Sequence, residues 1–247
     1  MDTTVFRHLH TTLDTLDCGA CPQRRHCLPA GMTDAEIAST NTHLVRARRK
    51  IDRGGELHHA GDAFEYVYAV RSGFFKTVLA SADGREQVTG FQMGGELLGL
   101  DAIHSGVHGV AAVALEDSQV CAIQFPALQA QARQLPALQW QFHRMLASEI
   151  GRAQGVMMLL GSMNAEERLA AFLLDLTQRT RARGFSGTAL MLRMTREEIG
   201  SYLGLSFETI SRTFSKLQAD GLLFVRHRNI TVTDPVGLRH LVERAAA

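Results

Sequence analysis

Thr195-Arg-Glu-Glu-Ile-Gly-Ser-Tyr-Leu-Gly-Leu-Ser-Phe-Glu-Thr-Ile-Ser-Arg-Thr-Phe-Ser215 decides the fold of the C-terminal region. Ile199 and Leu203 make one apolar face, Gly204 supplies a sharp turn, and Ser206 caps a second helix with Ile210, Phe214 and Leu217 inward. Phe207, Glu208, Ser211 and Arg212 are left on the outer side, where a recognition helix meets base edges in the major groove. Arg grips guanine O6 and N7 with two hydrogen bonds and Glu accepts from cytosine N4, so Glu208, Ser211 and Arg212 are the candidate DNA-reading residues. Strand-like runs at 223–225 and 229–232 flank the basic turn Arg226-His227-Arg228, and the set reads as a winged helix-turn-helix over 164–247. The plainer alternative is a helical hairpin that happens to be charged outside.

Upstream, a long helix begins after Pro136 and carries Leu146, Ile150, Ala153, Met157 and Leu160 at the spacing of a coiled-coil seam. One amphipathic helix lying on a neighbouring domain needs a single apolar stripe. Here a second stripe, Met145, Val156, Leu159 and Met163, indicates burial on two sides. Residues 136–163 are therefore expected to be a dimerisation helix with the five seam residues at its interface.

Between 33 and 135 the pattern is β-type. Thr33 and Glu36 mark a capped short helix to about Val45, and the basic run Arg46, Arg48, Arg49, Lys50 reads as a solvated face. Runs at 66–70, 74–79, 87–91, 110–115 and 119–125, separated by glycine turns, read as an antiparallel barrel or roll. Asp83-Gly84 marks a tight hairpin, and Asp83 and Arg85 at its tip are candidate contacts for RNA polymerase; a plain solvated turn is the alternative. The fold class is thus α+β: an N-terminal antiparallel β-roll, a long dimerisation helix and a C-terminal winged helix-turn-helix.

Residues 1–32 form a polar arm with three of the four cysteines. Cys18, Cys21 and Cys27 lie within ten residues, and Cys121, inside a strand-like run, is the remaining thiol. Four thiolates select zinc or an iron-sulfur cluster; zinc is also served by three cysteines and a histidine, and His26 is close by. Spacing alone leaves both open, with unrelated thiols as a third reading.

The 247 residues, 45% hydrophobic, suffice for two domains with real cores. No apolar stretch approaches the roughly 20 residues that span a bilayer, and no signal segment begins the chain, so a cytoplasmic protein is expected. In that compartment four cysteines point to metal or redox chemistry rather than disulfides. The net charge is +3 from Glu166 onward and −2 before it, mild support for a C-terminal nucleic-acid module. Eleven histidines are scattered without a metalloprotease or nucleophile-base pattern; most are expected on the surface, and no enzyme is expected.

These residues resemble the fumarate and nitrate reductase regulator (FNR) branch of the cyclic-AMP receptor protein family, from Cys18 to about Thr233. The resemblance is carried by the cysteine loop, Gly61-Asp62 through Arg71-Ser72-Gly73, Glu86-Gln-Val-Thr-Gly-Phe91, Gly99-Leu-Asp-Ala-Ile103, Asn164-Ala-Glu-Glu-Arg-Leu-Ala-Ala-Phe172, and Tyr202-Leu-Gly-Leu through Glu208-Thr-Ile-Ser-Arg212. It implies a cyclic-nucleotide-binding-like roll, a homodimer, and one 4Fe-4S cluster per subunit on Cys18, Cys21, Cys27 and Cys121, which oxygen converts to a smaller form with loss of dimerisation and DNA binding. It also implies activation or repression of anaerobic genes through palindromic double-stranded DNA with TTGAT half-sites, and a contact with RNA polymerase. No cyclic nucleotide is expected. Gly94-Gly-Glu-Leu-Leu-Gly99 looks like a phosphate turn, yet His108-Gly-Val-Ala-Ala112 stands where nucleotide-binding relatives carry an Arg-Ser pair. Pro22 and Arg24-Arg25 stand where some relatives have small or uncharged residues, and Ala153 where some have an acid.

Overall fold

The computed structural model describes residues 17–81 and 83–244. Much of the arm at 1–32, Ala82 in the hairpin tip and residues 245–247 lie outside the described residues. The chain divides into two units, one ending at Ser148 and the other starting at Glu149.

In the first unit Thr33 and Glu36 exchange the two hydrogen bonds of a capping box and start α1 (Asp34–Leu44). The basic run that follows is solvated at Arg46 and Lys50, with Arg49 half-buried, but not at Arg48. It is strand β1 (Val45–Ile51), and Arg48 is only 6% exposed. Then come β2 (Glu56–His58), β3 (Tyr66–Ser72), β4 (Phe74–Ala80), β5 (Glu86–Met93), β6 (Leu97–Leu98), a 3-10 turn at Leu100–Ile103, β7 (Ala111–Ala114) and β8 (Ser118–Gln124). They form two antiparallel sheets, β1-β8-β3-β6 and β2-β7-β4-β5, the expected roll.

Alternation along the strands separates two cores. Tyr68, Val70, Val120 and Ala122 pack with Phe75, Leu98 and Ala112. Their neighbours Val67, Ala69 and Ile123 turn the other way, onto Leu28, Leu44 and Leu138. The run expected as a strand through Phe125 stops one residue earlier, because Pro126 suits the first turn of a helix, α2 (Phe125–Gln134). Helix α3 (Pro136–Ser162) follows, and the division between the units falls inside it.

The second unit continues with α4 (Ala165–Ala182), started by an Asn164–Glu167 capping box, then β9 (Ala189–Met191), α5 (Arg196–Leu203), α6 (Phe207–Ala219), β10 (Leu223–Arg226), β11 (Asn229–Val232) and α7 (Pro235–Arg244). Leu169, Leu173, Ile199, Leu203, Phe214 and Leu238 are almost wholly buried here, each contributing about 1.5–3 kcal/mol of transfer free energy.

Candidate metal centre and nucleic-acid interface

The cysteine loop is a chain of tight turns: Cys21 N–H donates to the Cys18 carbonyl, Arg24 to Cys21, His26 to Gln23 and Ala30 to Cys27. Leu28, 1% exposed, pins it to the core beside Cys27. Gly94 and Gly95 let the loop approach closely, since a Cβ on either would lie 2.7 Å from Gln23 or His26. The turn that looks like a phosphate cradle is thus packed against the cysteine loop.

Cys121 reaches the same place from β8, and all four thiols line one pocket together with Gln23, Arg24 and Arg71. Arg24 is held by Asp34 at 2.7 Å and donates to the Met32 carbonyl. No group of three His, Cys, Asp or Glu side chains among the described residues is gathered tightly enough for a single metal ion. The donor set suits a thiolate-ligated cluster, whose irons each need only one protein sulfur. So does a neighbouring orphan, the Nε of Arg48, which is buried without a hydrogen-bond partner.

Burial first, then the thiols of Cys121 and Cys21, push Cys18 up to about 11. Burial raises Cys27 further still. It also raises Cys121, while Arg48 beside it pulls the other way. Burial thus favours the protonated, neutral form of Cys18, Cys27 and Cys121.

In the second unit Thr195 and Glu198 form a capping box at the start of α5, and Gly204 closes that helix at φ 64°. Gly200 allows the tight turn, because a Cβ there would stand 2.5 Å from the Leu205 carbonyl oxygen. The Ser206 hydroxyl then accepts from Thr209 N–H at the start of α6, which buries Ile210, Thr213, Phe214 and Leu217. Glu208 and Arg212 are exposed one turn apart and close enough for Arg212 to hold the carboxyl down, after the backbone and Ser206 hydrogen bonds. The Ser211 hydroxyl is turned in, without a hydrogen-bond partner.

Along α3, Ile150 is 60% and Met157 68% exposed, Ala153 and Leu160 are exposed too, and Leu146 is half-buried. The second stripe is covered: Leu159 and Met163 are buried, Met145 and Val156 half-buried. Arg168 on α4 donates to the carbonyls of Leu160, Met163 and Leu203, so one guanidinium binds the last turns of α3 and α5 together. At the roll's hairpin tip, Asp83 and Arg85 are exposed and pair with each other at 2.8 Å.

A model of the Crp-like helix-turn-helix domain matches residues 167–241, and one of the cyclic nucleotide-binding domain matches 48–134. Over 96% of its length the chain is 42% identical to the transcriptional regulatory protein btr of Bordetella pertussis, covering 97% of that protein. The chain belongs to the CRP/FNR family of DNA-binding transcription regulators. Within this family of regulators, not enzymes, it is also 38% identical to the fumarate and nitrate reduction regulatory protein of Escherichia coli K12, over 96% of this chain and 94% of that one. Among solved CRP/FNR structures, FixK2 of Bradyrhizobium japonicum superposes with a TM-score of 0.71 at 32% identity, over 78% of this chain and 96% of that one.

Site reasoning from sequence missed His58 and His108. They are buried, 4% and 3% exposed, and stacked at 3.8 Å inside the roll, whereas most of the described histidines lie on the surface as expected. Neither carries a spacing that marks it. The other missed residues are Arg48, hidden in a basic run, and Gln141, whose side chain donates to the Cys27 carbonyl at 3.2 Å.

Proposed function

We propose that this regulator senses oxygen through one 4Fe-4S cluster per subunit, held by Cys18, Cys21, Cys27 and Cys121, and as a homodimer binds TTGAT-type palindromes to switch genes of anaerobic metabolism. The observation that carries the reading is the single pocket lined by the loop thiols and the β8 thiol. The relative named anaerobic regulatory protein in Pasteurella multocida, 40% identical over 98% of this chain and 88% of that one, supports the physiological side.

When bound, the cluster supplies an oxygen-reactive centre. The chain's own residues carry its state onward. Gln141 ties the cysteine loop to the start of α3, the exposed seam of α3 joins a second copy, and Arg168 ties the end of α3 to α5. Two-fold symmetry then places two recognition helices on inverted half-sites about one helical turn apart. Arg212 reads the G of the half-site and Glu208 the C opposite, while Ser211, expected from the sequence to read a base, has its hydroxyl turned in and makes no base contact on this reading. Regulation of DNA places the protein in the cytoplasm.

The roll binds no cyclic nucleotide on this reading, so cyclic AMP leaves DNA affinity unchanged; a rise in affinity would overturn that. The hairpin tip is the polymerase contact. Asp83→Ala and Arg85→Ala variants that bind DNA normally should activate a target promoter poorly, and full activation would remove the tip from consideration.

The reading as a whole is tested by binding of anaerobically purified protein to a TTGAT palindrome before and after air exposure. Binding that air abolishes, in step with bleaching of a brown absorbance, is expected. Colourless, zinc-loaded protein that binds equally in air would replace it with a zinc-stabilised regulator.

A further inference from the structure

Across the β1–β8 ladder Arg48 stands directly opposite Cys121, and Ala69 of β3 pairs with Cys121 from the other side. Directly opposed residues of an antiparallel sheet project to the same face. Arg48 is 94% buried by residue area, its Nε lacks a hydrogen-bond partner, and no carboxylate pairs with it among the described residues. Arg71 lines the thiol pocket itself, bonds only the neutral Gln119 side chain among the described residues, and also has an orphaned Nε. Neither guanidinium can shed its proton.

Arg71 thus lines the thiol pocket and Arg48 stands opposite Cys121 beside it, two guanidinium groups that no carboxylate pairs with among the described residues. A buried charge without a partner is strongly destabilising, whereas the same charge beside an anion is satisfied. Four thiolates on a cluster would be that anion. We propose that Arg48 is the counter-ion of the thiolate-held group in this pocket, a positioning residue supported by Arg71. The proposal rests on the cluster reading above.

Its signature is a reversal of sign. Arg48→Met removes an uncompensated charge from the cluster-free protein, whose melting temperature should rise. In the cluster-loaded protein the same change removes a partner, so the melting temperature should fall and iron should pass to a chelator about tenfold faster. Arg48→Lys, which keeps the charge, should stay near wild type in both forms.

If Arg48→Met does not fold, Arg48→Gln is read the same way. A shift of the same sign in both forms, an unchanged rate of iron loss, or failure of both variants to fold without cluster would make Arg48 merely structural and overturn the proposal. Wild-type protein devoid of iron and sulfide after anaerobic purification would overturn the cluster reading and the proposal with it. A wild type that loads normally beside an indistinguishable Arg48→Met would overturn the proposal alone.

Discussion

Gln141, buried near the start of α3, donates its side-chain amide to the backbone carbonyl of Cys27, so a residue of α3 holds the loop that carries three thiols. Gln141→Leu conserves volume but leaves that carbonyl unpartnered, at a cost of about 1–3 kcal/mol. Denaturant unfolding should show the loss. Sedimentation should show a smaller difference in dimer affinity between loaded and cluster-free protein than in wild type. An undiminished difference would mean that the bond fastens the loop without transmitting its state.

Ala153 lies exposed in the seam between Ile150 and Met157. In a symmetric parallel dimer each seam residue meets its own copy, so an acid there sets like charges together. Glu149 and Arg152 offer no relief, since they pair along the helix at 2.9 Å. The cluster-free protein should therefore remain dimeric at micromolar concentration. Ala153→Asp should dissociate it, at a penalty on the order of 1–4 kcal/mol for close like charges. A monomeric cluster-free wild type would show that association, not helix reorientation, is the switch.

Arg212 is exposed on the outer side of α6 with Glu208 one turn before it. Arg212→Ala should cost about 1–3 kcal/mol on a TTGAT palindrome and little on scrambled DNA, because one bidentate base contact is lost and the phosphate contacts remain. Fluorescence anisotropy with both duplexes checks this. An unchanged ratio of affinities would assign base reading to other residues.

Burial, with His108 stacked on it, holds His58 down at about 4, against the opposing pull of Asp101 and Asp62. The folded protein keeps this ring neutral while the unfolded chain takes up a proton near the ordinary value of 6.5. Stability is then complete above about pH 6.5 and declines as the pH falls toward 4, by on the order of 3 kcal/mol if His58 acts alone. Melting curves across that range should show the decline, and His58→Gln should flatten it. A decline identical in the variant would place the acid sensitivity elsewhere.

The parts of this fold that were legible in the sequence are those whose signals are local. Thr33 with Glu36, and Ser206 after Gly204, mark helix starts through bonds three residues apart. Strand alternation marks the roll, and the thiol spacing marks the loop. Contacts made across the fold leave no such mark. Arg48 looks like one more surface cation in a basic strand until the ladder sets it against Cys121, 73 positions along the chain. Gln141 lies 114 residues from the carbonyl it holds. Strand β9 is three residues long and is defined by its pairing with β11.

The central claim is that Cys18, Cys21, Cys27 and Cys121 hold one cluster together, and elemental analysis tests it most directly. Iron, acid-labile sulfide and zinc should be measured on anaerobically purified wild type, on the three single Cys→Ser variants of the loop and on Cys121→Ser. About four irons and four sulfides per wild-type chain, no stoichiometric zinc, and loss of the cluster in every variant are expected. A full complement of iron and sulfide in Cys121→Ser, or zinc in place of iron in the wild type, would contradict it.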